Sequence, residues 1–256
     1  MNYSPYLILL LALSSALYFI FKKKEIIKGN LSKADLELLR TNVDFYVRLD
    51  KVKRQIFEQK IATFLSEVKI EGVGLEIKPL DKLLIASSAV IPIFGMDKWK
   101  YKNLTSVLLY PDTFNKDFQF EGSERNIMGM VGTGYMNGQM ILSQTALRHG
   151  FSKSAGKENT GIHEFVHLLD KSDGATDGIP ENLLAHKYAL PWLKMMHEEM
   201  ESIANNKSDI NPYALTNEAE FFAVVSEYFF EQPEILKDKH PALYERLSNI
   251  FSQDLD

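Results

Sequence analysis

The sequence contains no cysteine in its 256 residues, and it has no excess of basic charge. The lack of cysteine excludes disulfides, iron–sulfur clusters, thiolate zinc sites and a cysteine nucleophile, so any metal needs His, Asp or Glu ligands. The 29 Lys and Arg residues stand against 34 Asp and Glu residues, which gives a net charge of -5. A polyanion is bound through an excess of basic charge, so the composition argues against nucleic-acid binding.

Repeats, low-complexity tracts and long Gly/Ser/Pro linkers are also missing after Lys24. With 45% hydrophobic residues, the chain is long enough to bury one sizeable core. We therefore expect residues 25–256 to form a single domain.

The N-terminal segment differs from the rest of the chain. Residues 5–21 form a run of 17 residues without a charge, and Lys22, Lys23 and Lys24 follow directly. Such a run is just long enough to span a bilayer, and the absence of Lys or Arg before it argues against a cleaved signal peptide. Residues 1–24 therefore predict a single-pass membrane anchor, and the lysine flank predicts a cytoplasmic domain. The alternative is a buried helix that is apolar on all sides.

The pattern after the anchor mixes helix and strand and then becomes helical. Apolar residues between 33 and 67 recur at helical spacing and predict two amphipathic helices, and residues 31–35 resemble a capped helix start. Gly74–Ile77, Leu104–Tyr110 and the GQMILS segment at 138–143 predict short strands, whereas residues 81–90 fit either state. The segment after Asn159 reads as almost wholly helical. These features predict an α+β fold, mostly helical with a small sheet.

Residues 161–170 read GIHEFVHLLD and contain the pattern His163-Glu164-x-x-His167. On a helix the two histidines lie one turn apart on one face, so both can bind a single zinc ion. Glu164 lies about 100° around the helix axis, where it can act as a general base on a zinc-activated water without being a ligand. The alternative is two ordinary histidines, but burying these polar groups in an apolar segment without a partner would be costly.

A catalytic zinc site with two histidines needs a third ligand, and Glu220 supplies one. Glu220 and Glu227 both lie within the strongly apolar segment at 211–230, whereas Glu218 is explained by the dipole at the expected helix start. Glu227, Asp170 and Asp173 compete for the role of supporting a ligand histidine from behind, and spacing does not choose among them.

Tyr213 precedes Glu220 by seven residues in an Asn-Pro-Tyr turn. Its hydroxyl could donate a hydrogen bond to the oxyanion that forms on an attacked carbonyl. The alternative is a tyrosine that packs beneath the turn. We therefore treat Glu164 and Tyr213 as candidate catalytic residues of a peptide-hydrolysing enzyme.

From about residue 30 to the C-terminus, the sequence resembles the Mlc titration factor A family of zinc peptidases. The most specific blocks are VLLYPDTF (107–114), GQMILS (138–143), HEFVHLLD (163–170), DGATDGIP (173–180) and AEFFAVVSEYFFEQP (219–233). The resemblance implies a zincin-like fold related to the catalytic domain of anthrax lethal factor. It also implies zinc ligands at His163, His167 and Glu220, a general base at Glu164 and assistance from Tyr213.

The resemblance further implies aminopeptidase character and a partner, a transcriptional repressor of sugar uptake that family members bind and inactivate. Two features depart from the family pattern: the N-terminal anchor, and Met136 at a position where tryptophan is expected. In zincins a strand before the metal helix often receives the substrate as an added strand, and GQMILS is our candidate. Besides the peptidase, we consider a binding module with structural zinc and a membrane-attached scaffold without metal.

Overall fold

The structure is a computed structural model that describes residues 31–122, 125–132, 134–184 and 188–255. The predicted membrane anchor, residues 1–24, lies outside these described residues. Among the helices that the structure does describe, none combines the length and the apolarity needed to cross a bilayer.

The described residues are mostly helical and contain one small sheet. The helices are α1 (Lys33–Asn42), α2 (Asp44–Arg48), α3 (Lys51–Glu67), α4 (Pro79–Val90), α5 (Gln144–Gly150), α6 (Thr160–Asp170), α7 (Ala189–Ala204), α8 (Glu218–Glu231), α9 (Pro233–Lys239) and α10 (Pro241–Phe251). The strands are β1 (Lys69–Gly72), β2 (Ser106–Tyr110), β3 (Gly129–Val131) and β4 (Gln139–Ser143). The expected α+β class, mostly helical with a small sheet, is thereby confirmed.

The four strands pair in the order β1-β2-β4-β3. The pairs β1–β2 and β2–β4 are parallel, whereas β3 runs antiparallel to β4 at one edge. The two central strands are almost wholly buried, as is usual for parallel strands that are covered on both faces. The edge strand β3 remains partly exposed.

Alternate side chains of the central strands face two different apolar clusters, because successive side chains of a strand point to opposite faces. Val107 and Leu109 of β2 join the main core beneath the helices. Tyr110 joins a smaller cluster on the other face of the sheet, together with Phe114 and Ile141. The sheet therefore separates the helical body from a small outer layer.

The N-terminal helices differ from the predicted pair. The capped start is confirmed, since Ser32 and Asp35 form a reciprocal capping box. The expectation of two helices is wrong, because residues 33–67 form three. Val43 adopts an extended conformation that ends α1, and the Asp50 carboxylate accepts the first free N–H groups of α3. Val47, in the short helix α2, is 45% exposed.

The predicted strands are confirmed in part. The strand at Leu104–Tyr110 is confirmed as β2 and GQMILS as β4, but the predicted strand at Gly74–Ile77 is wrong. The strand lies just before it, at β1, and Gly74 turns the chain with a φ of +75°. The ambiguous segment at 81–90 belongs to helix α4, which begins with a proline in its first turn.

Helix α6 occupies the centre of the molecule and contacts α4, α8 and β3. Its close approach to α4 depends on Gly161, because a Cβ atom there would lie 2.1 Å from the Ser88 hydroxyl oxygen. The fold therefore brings the edge strand and the start of α8 to the two sides of the His-Glu-x-x-His helix.

Candidate metal centre

Helix α6 begins at an asparagine cap and has one strongly apolar face. Asn159 accepts a hydrogen bond from the backbone N–H of Ile162 at 3.1 Å. This face consists of Ile162, Phe165, Val166 and Leu169, which are all fully buried. This burial fixes the rotation of the helix, so His163 and His167 lie together on a face that is only partly buried.

Glu220 reaches the same place from the first turn of α8. The helix begins at Glu218, as expected, and the side chain of Asn217 accepts a hydrogen bond from the backbone N–H of Glu220 at 2.9 Å. A carboxylate in a first turn is favoured by the helix dipole. The next residues, Phe221 and Phe222, are fully buried and anchor this turn in the core.

The structure brings the three predicted ligand residues together. One ligand atom from each of His163, His167 and Glu220 lies within 4.8 Å of the others. The two Nε2 atoms are 3.1 Å apart, and Glu220 Oε2 lies 2.9 Å from His163 Nε2 and 3.5 Å from His167 Nε2. Ligands on one tetrahedral zinc ion, with bonds of about 2.0–2.1 Å, lie about 3.3 Å apart. The donor atoms and their spacing therefore fit a metal ion.

Glu227 lies behind His163, two turns after Glu220 on α8. Its carboxylate accepts from His163 Nδ1 at 2.7 Å and also from the backbone N–H of Asn159 at the start of α6. With its proton on Nδ1, the imidazole presents the lone pair of Nε2 to the site. Of the three candidates for this supporting role, the geometry selects Glu227.

The site carries an excess of negative charge. Burial lowers the pKa of His163, but the carboxylates of Glu227 and Glu220 outweigh burial and raise this pKa well above its usual value. Burial raises the pKa of Glu220, yet its bonds to the two histidines hold that pKa far below the usual range. A divalent cation would meet the same electrostatic demand, because metal ions compete with protons for such ligands.

Glu164 is buried between α6 and the edge strand β3, with 7% of its surface exposed. A Cβ atom at Gly129 would lie 2.5 Å from Glu164 Cγ and 2.6 Å from its Oε1. A glycine at 129 therefore leaves the room that this side chain occupies. Burial raises the pKa of Glu164, partly offset by the two histidines. Gly129 was missed in the sequence, since neither its neighbours nor its spacing connects it to the metal motif.

The other two aspartates support the loop after α6. Asp170 is fully buried and accepts from the backbone N–H of Gly178 at 2.9 Å, and burial raises its pKa to about 7. Asp173 accepts from the backbone N–H of Glu181 at 2.8 Å. Gly178 in turn lies against the Glu218 carbonyl at the start of α8. This loop therefore braces the turn that carries Glu220. Nδ1 of His167 is buried without a hydrogen-bond partner in the described part of the chain.

Tyr213 lies beside the ligand cluster in a 3-10 turn at Pro212–Leu215. Its ring centre is 6.1 Å from that of His163, and the residue is 54% exposed. Burial and the nearby carboxylates, Glu220 first among them, raise the pKa of its hydroxyl. The exposure argues against a tyrosine that packs beneath the turn. The side chain of Asn211 fixes the turn by accepting from the backbone N–H of Tyr213 at 2.9 Å.

The expectation that GQMILS receives the substrate is wrong. These residues form β4, which pairs with β2 on one side and with β3 on the other, so its backbone groups are already used. Within the described residues the sheet has two edge strands, β1 and β3, and β3 is the edge strand that contacts α6. It is also the strand whose Gly129 touches Glu164.

A His-Glu-x-x-His helix that meets a carboxylate from a second helix is the arrangement typical of metal-dependent peptidases. The model of the family described as Glucose-regulated metallo-peptidase M90 matches residues 20–252, and the chain belongs to this family. Mlc titration factor A of Klebsiella pneumoniae is 28% identical over 223 residues, covering 80% of this chain and 81% of that protein. The resemblance to the Mlc titration factor A family is thereby confirmed.

Two further relatives extend the comparison. Mlc titration factor A of Cronobacter sakazakii is 30% identical over 197 residues, covering 71% of each chain. An uncharacterized protein of Synechocystis sp. is 27% identical over 242 residues, covering 90% of this chain and 88% of that protein. In each comparison the similarity therefore extends over most of the length of both chains.

Proposed function

We propose that the protein is a zinc-dependent peptidase of zincin-like fold, with His163, His167 and Glu220 as the zinc ligands. One observation carries the proposal: two imidazole nitrogens and a carboxylate oxygen from distant parts of the chain converge within 4.8 Å. Glu164, which no structural zinc site needs, is buried beside them. The family description supports the same class of activity.

Zinc is the metal that this ligand set suits best, since imidazole nitrogen and carboxylate oxygen are its usual ligands when thiolates are absent. When bound, zinc lowers the pKa of a coordinated water toward neutrality and polarises a carbonyl. Three protein ligands leave a further position open, which is typical of catalytic rather than structural sites.

The protein side chains supply the proton transfers and the charge stabilisation. Glu164 removes a proton from the attacking water and passes it to the departing amine as the peptide bond breaks. The Tyr213 hydroxyl donates a hydrogen bond to the oxygen of the attacked carbonyl. Glu227 holds His163 in the tautomer that keeps Nε2 free for the metal.

The peptide substrate lies along β3 as an additional strand. Two observations support this position: β3 is the edge of the sheet nearest to α6, and Gly129 touches Glu164. Main-chain hydrogen bonds to a free edge bind an extended peptide with little dependence on its sequence. A peptide in this place would present its backbone carbonyls to the cluster on α6.

The test compares peptide hydrolysis by the full-length protein and by Glu164→Gln, each with its zinc content measured. We expect the variant to lose activity by about 10²–10⁴-fold, the usual contribution of a general base, while it keeps its zinc. Glu234→Gln, an exposed change at the start of α9, is the matched control and should retain full activity. Equal activity of wild type and Glu164→Gln would refute the mechanism.

The family resemblance also supports aminopeptidase character as a finer proposal. Pairs of peptides with free and acetylated N-termini test it directly. An aminopeptidase cleaves only the free form, whereas an endopeptidase cleaves both.

A second candidate function is the binding of a transcriptional regulator. The relatives in Klebsiella and Cronobacter are named Mlc titration factor A, and this name supports a regulatory interaction for the present chain. If sequestration is the main function and zinc is structural, Glu164→Gln will keep all biological activity, whereas His163→Ala will lose the folded state.

We also infer that residues 1–24 anchor the protein in a membrane with the peptidase domain, residues 25–256, in the cytoplasm. The uncharged run before three lysines supports this topology. Substrates would then be cytoplasmic peptides or proteins near the membrane. Fractionation of cells that express the full chain, followed by protease treatment of spheroplasts, tests both the anchor and its orientation.

A further inference from the structure

A cavity of about 650 Å³ lies beyond the end of the edge strand β3. It is lined by the loop at residues 96–104, the end of β3 with the following Gly132, the turn before β4, and the end of α6 with the residues after it. None of the five predicted site residues lines it. It is therefore a separate cavity that shares a strand and a helix with the candidate metal centre.

The distance along β3 connects this cavity to the site. Gly129 touches Glu164, and Gly132 lines the cavity three residues later. At about 3.3 Å per residue, these two positions are about 10 Å apart along the strand. A peptide bound along β3 with its scissile bond near Glu164 would bring a residue about three positions away to the mouth of the cavity.

The charge of the cavity opposes that of the whole chain. Its lining includes Lys98, Lys100, Lys102 and Lys171, and none of its lining residues is Asp or Glu. Lys100 forms an ion pair with Glu67, but in the described residues Lys98, Lys102 and Lys171 have no carboxylate partner. In a protein of net charge -5, a cavity with this lining concentrates unpaired positive charge.

The polar atoms of the lining add hydrogen-bond donors. Ser172 lines the cavity with a hydroxyl-bearing side chain, and Trp99 lines it as well. The amides of Asn103 and Asn137 also border the space. Lysine ammonium groups donate but never accept, so a ligand that suits this lining is rich in acceptors.

We propose that this cavity binds a carboxylate of the peptide substrate, about three residues from the bond that is cleaved. The inference rests on the proposed peptidase function and names its substrate class, peptides with an acidic group on this side of the scissile bond. The carboxylate comes either from an Asp or Glu side chain or from the end of the peptide, and the experiment below separates these sources.

The first experiment measures direct binding and does not depend on catalysis. The chain has two tryptophans, and Trp192 is fully buried with its indole bonded to the Gly178 carbonyl at 2.7 Å, so a response of the emission to added peptide reports on Trp99. The full-length protein is titrated with triglutamate and triglutamine, each acetylated and amidated, and with acetylated triglutamine that has a free carboxyl end. Trp99→Phe should abolish the response.

We expect a carboxylate-bearing peptide to bind about fivefold more tightly than blocked triglutamine, the effect of two exposed ion pairs. The double variant Lys98→Gln/Lys102→Gln should lose this preference. The matched control, Lys51→Gln/Lys53→Gln, removes two exposed lysines of α3 that do not line the cavity and should keep it. Preference for triglutamate identifies a side-chain carboxylate, and preference for the free carboxyl end identifies a terminal one.

The second experiment measures hydrolysis of matched peptides in which Glu replaces Gln at each position around the scissile bond. We expect one position on one side to raise kcat/KM about fivefold, and the effect to vanish in Lys98→Gln/Lys102→Gln. If no peptide is cleaved, the proposed function fails, but the binding experiment still tests whether the cavity binds a carboxylate. Three results would overturn the inference. The charged and neutral peptides could bind equally, or both lysine double variants could lose the preference for carboxylate equally. The Trp99 emission could also respond to phosphatidylglycerol vesicles and to none of the peptides.

Discussion

Two clusters of histidine and carboxylate side chains among the described residues differ in how their charges are met. The Asp209 cluster is centred on Asp209, which accepts from Lys157, Lys239, His240 and Tyr228. The site cluster contains His163, His167, Glu164, Glu220 and Glu227. Both clusters join distant segments of the chain, so burial and sequence distance alone do not distinguish them.

The difference lies in the supply of cations. Burial raises the pKa of Asp209, but its lysine and histidine donors outweigh burial and hold the pKa far below the usual range, so this carboxylate is satisfied by the protein itself. In the site cluster three carboxylates face two imidazoles, and within the described residues no Lys or Arg side chain bonds to them. A cluster that lacks its own cations is therefore the one that is suited to take a metal.

The largest effect should follow from Gly129→Ala, which acts only on the site cluster. The added methyl group would collide with Glu164 and displace its carboxylate, and a misplacement of about 1 Å can cost about 10²-fold in rate. We expect the variant to keep its zinc and its fold but to lose peptide hydrolysis by about that factor. Activity and zinc content are measured on the same sample.

The control for Gly129→Ala is Met130→Ala, a change in the same strand on a side chain that packs into the small outer cluster. It should leave kcat/KM within a few-fold of wild type. Full activity of Gly129→Ala would show that Glu164 does not need its present position.

A somewhat smaller effect is expected from Glu227→Gln, which removes the charge behind His163. Loss of such a supporting partner typically weakens metal affinity by about 10–100-fold. Competition with a zinc chelator measures this change. Unaltered zinc affinity would mean that the 2.7 Å contact between Glu227 and His163 does not support the metal site, and that Glu227 only stabilises the start of α6 through the backbone N–H of Asn159.

The smallest effect, and one on stability only, is expected from Asp209→Asn in the other cluster. The pKa of Asp209 is lowered in the folded state, so its stabilising contribution is present above the unfolded pKa of about 4 and is lost as the pH falls below it. We expect a loss of about 2 kcal/mol at pH 7, with unchanged zinc content. Urea unfolding should show that the difference in the free energy of unfolding between wild type and Asp209→Asn becomes smaller below about pH 4. A difference in the free energy of unfolding that grows on acidification would contradict the lowered pKa of Asp209.

The sequence predicted the parts of this molecule that are encoded locally. Helical spacing was enough to place His163, Glu164 and His167, because a single helix fixes their relative positions. The half-buried acid Glu220 was predictable because an apolar segment tolerates a carboxylate only with a partner. In contrast, the sequence contained no signal for Gly129, whose importance depends on how closely β3 approaches α6.

The errors have the same origin. GQMILS was wrongly expected to bind the substrate because the order of strands in a sheet cannot be read from one segment. The structure excludes GQMILS from this role, since β4 pairs with a neighbouring strand on both sides. The choice among Asp170, Asp173 and Glu227 also needed three dimensions, because each lies at a helical or loop spacing that reaches the histidines. His240 has no spacing in the sequence that connects it to another titratable residue. It begins α10 as a cap, and its side chain joins the Asp209 cluster.

The zinc affinity of Glu220→Gln tests the central claim most directly, with Glu218→Gln as its control on the same turn of α8. We predict that wild type and Glu218→Gln each bind about one zinc ion per chain, with three protein ligands. Glu220→Gln should lose most of this metal to a chelator that leaves the other two proteins loaded. Equal retention of zinc by all three proteins, or a native chain that takes up no zinc, would contradict the account.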